Sequence, residues 1–178
     1  SREEWEHTFA VDWGGVYHCA RTFLPLLIAS GDGVLVNTSS VNGLWAALGP
    51  GMPNTAYCAA KFAVKGFTEA LIEDLRSNAP QVRVAVVMPG HVGTDIIGNT
   101  LRAHGKDPDQ MLVDISNDFR DKAPLSAAQA ATIILDGVRS GTWRILVGQD
   151  AAMIDERIRA NPEAAYDYAE LFRGLVPS

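Results

Sequence analysis

Val34-Leu35-Val36-Asn37-Thr38-Ser39-Ser40 decides the fold. Three apolar residues run together without alternation and stop at a polar stretch. A strand with one wet face alternates its sides, whereas an unbroken apolar run suits a strand covered on both faces, as in a parallel sheet. The run emerges from a turn cluster, Ser30-Gly31-Asp32-Gly33. The same pattern recurs at Val82 to Met88, closed by Pro89-Gly90, and again at Trp143 to Val147.

Helical periods lie between these runs. Ser1-Arg2-Glu3-Glu4 has the spacing of a capping box. Trp5, Phe9, Trp13, Val16, Ala20, Phe23 and Leu27 then recur at steps of three and four. One long amphipathic helix is predicted over residues 3–29, with a kink near Pro25, where a backbone donor is missing. A second helix is predicted from Thr55 to Asn78, and a third from Pro124 and Ser126 to Arg139. Residues 43–55 read as a Gly- and Pro-rich loop; residues 91–125 lack a strong period beyond helical fragments around Ile96–Leu101. The tail, 149–178, reads as helical, with a last helix from Pro162, capped by Asn161, to Gly174. Helices and strands alternate with crossovers long enough for parallel pairing, which gives an α/β, doubly wound Rossmann-type sheet with about three strands. The Val34 strand would then leave a bare apolar edge, so further strands are expected N-terminal to Ser1. The 178 residues are expected to be the C-terminal portion of a single domain.

Composition narrows the function classes. Hydrophobic residues make up 47% and charged residues 20%, which suits a chain with a packed core. The formal charge of −6, with no basic block, argues against nucleic acid and anionic membrane surfaces. No apolar run reaches the ~18 residues of a membrane span. Cys19 and Cys58 are too few for a four-ligand zinc site, so no metal is expected. They read as reduced, buried thiols of a cytoplasmic protein.

Doubly wound sheets place their sites beyond the carboxyl ends of the strands. The first strand ends at Thr38-Ser39-Ser40, the second at Pro89-Gly90-His91-Val92-Gly93-Thr94. Between them, Tyr57 and Lys61 stand one helical turn apart on one face. Alone, such a pair is an ordinary feature of a helix surface. Asp12 interrupts the apolar run of the first helix. His91 reads as structural, and Glu69, Glu73 and Asp74 as a solvated face. Trp45, Leu48, Ile96, Ile97, Leu101 and Met111 read equally well as core or as an apolar substrate pocket.

Together these segments resemble the short-chain dehydrogenase/reductase family. Asn37-Thr38-Ser39-Ser40 is similar to its strand-end serine motif, Tyr57-Cys58-Ala59-Ala60-Lys61 to its Tyr-x-x-x-Lys, and Pro89-Gly90-His91-Val92-Gly93-Thr94 to its Pro-Gly-x-Val-x-Thr. Val11-Asp12-Trp13-Gly14-Gly15-Val16 resembles its Val-Asn-x-x-Gly-Val helix. The resemblance runs from about residue 1 to 148 and implies an NAD- or NADP-dependent interconversion of a secondary alcohol and a ketone. Tyr57 would be the general acid/base, its phenolate favoured by the Lys61 ammonium. Ser40 would hold the substrate oxygen, and Asp12 would complete the catalytic set. Tyr57, Lys61, Pro89, Gly90, Val92 and Thr94 would bind the cofactor.

Two departures from the family pattern stand out. Asp12 replaces the usual Asn, which changes a neutral amide into an anion that cannot donate. The Gly-rich turn that cradles the pyrophosphate has no counterpart; Gly31-x-Gly33 precedes a strand instead of opening a helix. The chain is therefore expected to lack its N-terminal nucleotide-binding half. The resemblance further implies a small apolar carbonyl or alcohol substrate, and a homodimer or homotetramer formed through the two long helices. The alternatives are a catalytically silent member or fragment that binds cofactor or partner without turnover, and, ranked lower, a sugar-nucleotide epimerase or dehydratase.

Overall fold

The computed structural model describes residues 1–49, 51–52, 54–103 and 109–172. Its centre is a parallel sheet of β1 (Gly33–Thr38), β2 (Val82–Pro89) and β5 (Arg144–Val147), in the order β1-β2-β5. Gly33 pairs with Val82 at one end of β1 and Thr38 with Val87 at the other, while Val86 to Pro89 pair with Arg144 to Val147. The three apolar runs are thus the three strands, and β2, buried along almost its whole length, is the middle one.

Successive β2 residues point to opposite faces, and each face has its own helical cover. Val82 and Val84 pack with Leu75 and Ala79 at the end of α3 (Thr55–Asn78), and with Leu24 and Leu27 of α2 (Gly15–Ser30). Ala85 and Val87 pack with Ile145, Val147 and Ala130, the last from α6 (Ala127–Arg139). Ser126 caps α6 in a reciprocal box with Gln129. The doubly wound arrangement expected from the sequence is present.

Four local features differ from the sequence reading. The first helix runs as α1 (Arg2–Phe9) and α2 joined by a π-helical turn, Ala10–Gly14; the departure from α geometry lies there and not at Pro25, which sits inside α2. Pro25 and Arg21, whose carbonyl loses its helical partner, are both exposed, so water can take the lost bond. Residues 91–125 hold more order than their period suggests: the short parallel pair β3 (Val92–Gly93) with β4 (Leu125–Ser126), then α4 (Ile96–Ala103) and α5 (Gln110–Asp121). The helix α5 is announced by a cap, Asp109 accepting from Leu112 N–H at 2.9 Å; it buries Ser116 fully and half-buries Leu112, Val113 and Phe119.

The tail contains α7 (Gln149–Ala160), a 3-10 turn at Pro162–Ala164 and the one-turn α8 (Tyr168–Leu171), not a continuous helix from Pro162. Asp167 restarts the chain by capping Glu170 N–H; the expected end at Gly174 lies outside the described residues. Finally, Cys19 is exposed, while Cys58 is buried as expected. Glu69 and Glu73 pair with Lys65 and Arg76 on the wet side of α3.

Candidate active site

Asn54 starts α3 by accepting the Tyr57 N–H at 3.3 Å. That cap fixes the helical phase, so Tyr57 and Lys61 share a face, with the Lys61 ammonium 5.4 Å from the centre of the Tyr57 ring. The neighbouring wall is the segment leaving β1. Ser39 N–H donates to Val87 O at 2.8 Å, and its hydroxyl donates to Lys61 O at 2.7 Å. Strand end and helix are thereby tied at the turn that carries Lys61. Ser40 is extended, and its oxygen accepts the Asn42 N–H at 3.1 Å, which opens the 3-10 turn Val41–Gly43. The Ser40 side chain lies close enough to the Tyr57 phenol to favour its ionised form, against the effect of burial.

Gly43 makes this close approach possible. A Cβ there would meet the Ser39 hydroxyl and the Lys61 backbone oxygen. Gly43→Ala is expected to lower stability by about 1–3 kcal/mol, measured by thermal melting. Unchanged melting would mean that the loop yields freely. Ser39 and Gly43 were missed as supports of the site, although the Ser-Ser-x-x-Gly spacing carries the signal.

Asp12 reaches the same place from the π-helical turn. Its carboxylate lies 3.0 Å from the Lys61 ammonium, and the two side chains are 24% and 12% exposed. This contact changes the expected electrostatics. The phenol of Tyr57 is raised above its ordinary value: burial is the largest cause, the Ser40 side chain opposes it, and the Asp12 charge adds to the rise, followed by Cys58. The rise comes first from burial of the phenol, and the Lys61 ammonium, which the sequence places to favour the phenolate, is itself ion-paired with Asp12.

The Pro89-to-Thr94 turn stands at the end of the adjacent strand. Gly90 N–H donates to Val147 O at 2.9 Å, Thr94 N–H to Val92 O at 2.9 Å, and Val92 is buried in the core. His91 is held structurally: its N–H donates to Asp150 Oδ2 at 2.6 Å, and its ring lies against Phe119 with Nε2 2.6 Å from Phe119 O. Asp150 is a support that sequence reasoning missed. Its carboxylate occupies the space where a Cβ on Gly90 or Gly148 would stand, so both positions require glycine.

Of the six apolar pocket candidates, Trp45 is core, packed with Ile154 and Leu171; Leu48, Ile96 and Met111 are exposed. The tail fastens onto the loop after β1. Trp45 Nε1–H donates to Ala165 O at 2.8 Å, and Tyr168 O–H to Gly49 O at 3.1 Å. Among the described residues no cluster of His, Cys, Asp and Glu could hold a metal, and no helix is long and apolar enough to cross a membrane.

The family model described as short chain dehydrogenase matches residues 1–104. SadH of Mycobacterium tuberculosis, named as an oxidoreductase, is 40% identical over 152 residues, which cover 84% of this chain and 52% of SadH. YbbO of Escherichia coli, also named as an oxidoreductase, is 31% identical over 108 residues, 61% of this chain and 38% of YbbO. The chain thus spans about half or less of the length of these curated relatives. Among solved structures, a short chain dehydrogenase/reductase of Burkholderia phymatum in complex with NAD superposes with a TM-score of 0.73 at 25% identity, covering 100% of this chain and 63% of that one. A short chain dehydrogenase of Burkholderia cenocepacia in complex with NADP gives 0.70 at 22% identity, with coverages of 99% and 61%, a likeness of fold.

Proposed function

This chain belongs to the short-chain dehydrogenase family, and from that premise we propose that its cleft interconverts a secondary alcohol and a ketone with NAD or NADP. The observation that carries the reading is the Lys61 ammonium 5.4 Å from the centre of the Tyr57 ring, one turn away on α3, with Ser40 acting on the phenol from the end of β1. The donor set suits a nicotinamide nucleoside: a part-buried ammonium for ribose hydroxyls, and a strand-end turn offering backbone groups at Val92 and the Thr94 hydroxyl for a carboxamide. The B. phymatum and B. cenocepacia proteins, bound to NAD and NADP, support both cofactors equally.

NAD(P)H, when bound, supplies a hydride to the carbonyl carbon, and NAD(P)⁺ takes one back in the reverse direction. Ser40 orients the substrate oxygen by hydrogen bonding. As the carbonyl π electrons move onto that oxygen, Tyr57 gives it the phenolic proton and is reprotonated from solvent; oxidation reverses each transfer. Lys61 fixes the ribose, and Pro89 and Gly90 set the path of the backbone that presents Val92 and Thr94. Exposed Leu48, Ile96 and Met111 favour a small apolar carbonyl or alcohol. Exposed Val11, Phe23, Leu26 and Phe62 on the two long helices favour a homodimer or homotetramer built on them. The free thiols fit a reducing compartment, the cytoplasm.

A second reading, binding without turnover, draws on the engagement of Lys61 by Asp12. Nicotinamide absorbance followed with a panel of ketones and alcohols separates the two. Turnover is expected, and Ser40→Ala is expected to lower kcat/KM about tenfold to a hundredfold. Absence of turnover with every substrate and both cofactors would favour silent binding.

A further inference from the structure

The catalytic residue types here are those of many active oxidoreductases, but the charge around the phenol is not that of a lone ammonium. We propose that Asp12 is a positioning residue that, by holding the Lys61 ammonium in a direct ion pair, adds to burial in keeping Tyr57 the neutral phenol, the proton donor of carbonyl reduction. The proposal rests on Tyr57 being the acid/base group of the reaction proposed above.

The geometry is specific. A 3.0 Å contact between ammonium and carboxylate is a charge-assisted hydrogen bond, and both partners are more than three-quarters covered, where screening is reduced. The carboxylate arrives from a helix whose hydrogen bonding is locally π-type over Ala10–Gly14, a distortion that often marks functional positions. The groups that act on the phenol come from three elements: Asp12 on the π-helical turn, Lys61 and Cys58 on α3, and the uncharged Ser40 hydroxyl on the loop after β1. Cys58 is itself raised by burial, so its thiol is neutral at physiological pH. The charged neighbours are therefore one cation and one anion.

With Asp12 ionised they largely cancel, and forming a phenolate beside them gains little. A neutral side chain at position 12 would leave the Lys61 charge uncompensated and would favour the phenolate by the shift typical of a nearby opposite charge. A group with a raised value keeps its proton to higher pH. The acid needed for reduction is then present throughout the neutral range, and the base needed for oxidation emerges only as the solution becomes alkaline.

Ultraviolet titration of the phenolate reads this directly, with the Tyr57→Phe protein subtracted to isolate one tyrosine of four. In Asp12→Asn and Asp12→Ser, Tyr57 is expected to ionise about one pH unit or more below the unmodified protein. Asp12→Glu, which keeps the charge, is expected to titrate as the unmodified protein does. The alkaline limb of kcat/KM for alcohol oxidation should move by the same amount, which loss of packing alone would not produce. Coincident titrations of the Asn, Ser and unmodified proteins overturn the proposal. A titration shift with no turnover in any variant keeps the ion-pair effect and refutes the oxidoreductase reading; Tyr57-dependent turnover without a shift does the reverse.

Discussion

Tyr57→Phe is expected to reduce kcat for ketone reduction by about 10²–10⁴-fold, the range that positioned acid/base groups contribute, a larger loss than in cofactor affinity. The substitution removes one oxygen and leaves the ring beside the Lys61 ammonium. The cap from Asn54 acts on the Tyr57 backbone N–H and is untouched. Lys61 retains its ion pair with Asp12, since that contact does not involve the phenol. Cofactor titration by nicotinamide fluorescence should accordingly show a much smaller change than the loss seen by steady-state absorbance. Equal turnover in the two proteins would remove the phenol from the chemistry and leave Ser40 and Lys61 as binding groups only.

Why this site could be read from the sequence, and what could not, follows from distance along the chain. Tyr57 and Lys61 are four residues apart on one helix, so helical geometry alone makes them neighbours. The strand β2 is the most legible because burial on both faces leaves a long apolar run, and β1 shows the same apolar run although Val36 is exposed. Asp12 was legible only as a polar residue out of place. Its pairing with Lys61 joins two helices separated by β1 and a long loop, and periodicity does not encode such a contact. The direction of the effect on Tyr57 escapes the motif for the same reason, since burial of the phenol, its largest cause, and the Asp12 charge both come from tertiary packing. The support given by Asp150 to the Pro89–Thr94 turn was hidden similarly, in two glycines far apart in the chain. The helix α5 escaped because its inward apolar residues, Leu112, Val113 and Phe119, are few and only half-buried.

Asp155→Asn is expected to cost about 3 kcal/mol, the lower end for breaking a buried ion pair, which for a chain of this size is roughly 6–12 °C in Tm. Asp155 of α7 is 2% exposed and is gripped by both terminal nitrogens of Arg144, the first residue of β5, and by Arg159 one turn along its own helix. The amide fits the space but leaves the part-buried Arg144 guanidinium without its counter-charge. The consequence reaches the site, because α7 also carries Asp150, which anchors the turn at Gly90 and His91. Burial alone would raise the Asp155 carboxyl; hydrogen bonding and charge from Arg144, then Arg159, outweigh it and hold the group below its ordinary value. A carboxyl lowered by folding contributes stability above its unfolded value, near 4, and loses it as pH falls through the folded one. The gap in Tm between the unmodified protein and Asp155→Asn should therefore be widest near neutrality and close in acid. Replacing both partners, as Arg144→Met with Asp155→Leu, should recover most of the loss, since no buried charge then remains. A single substitution as stable as the unmodified protein at neutral pH would show that water, not Arg144, balances that carboxylate.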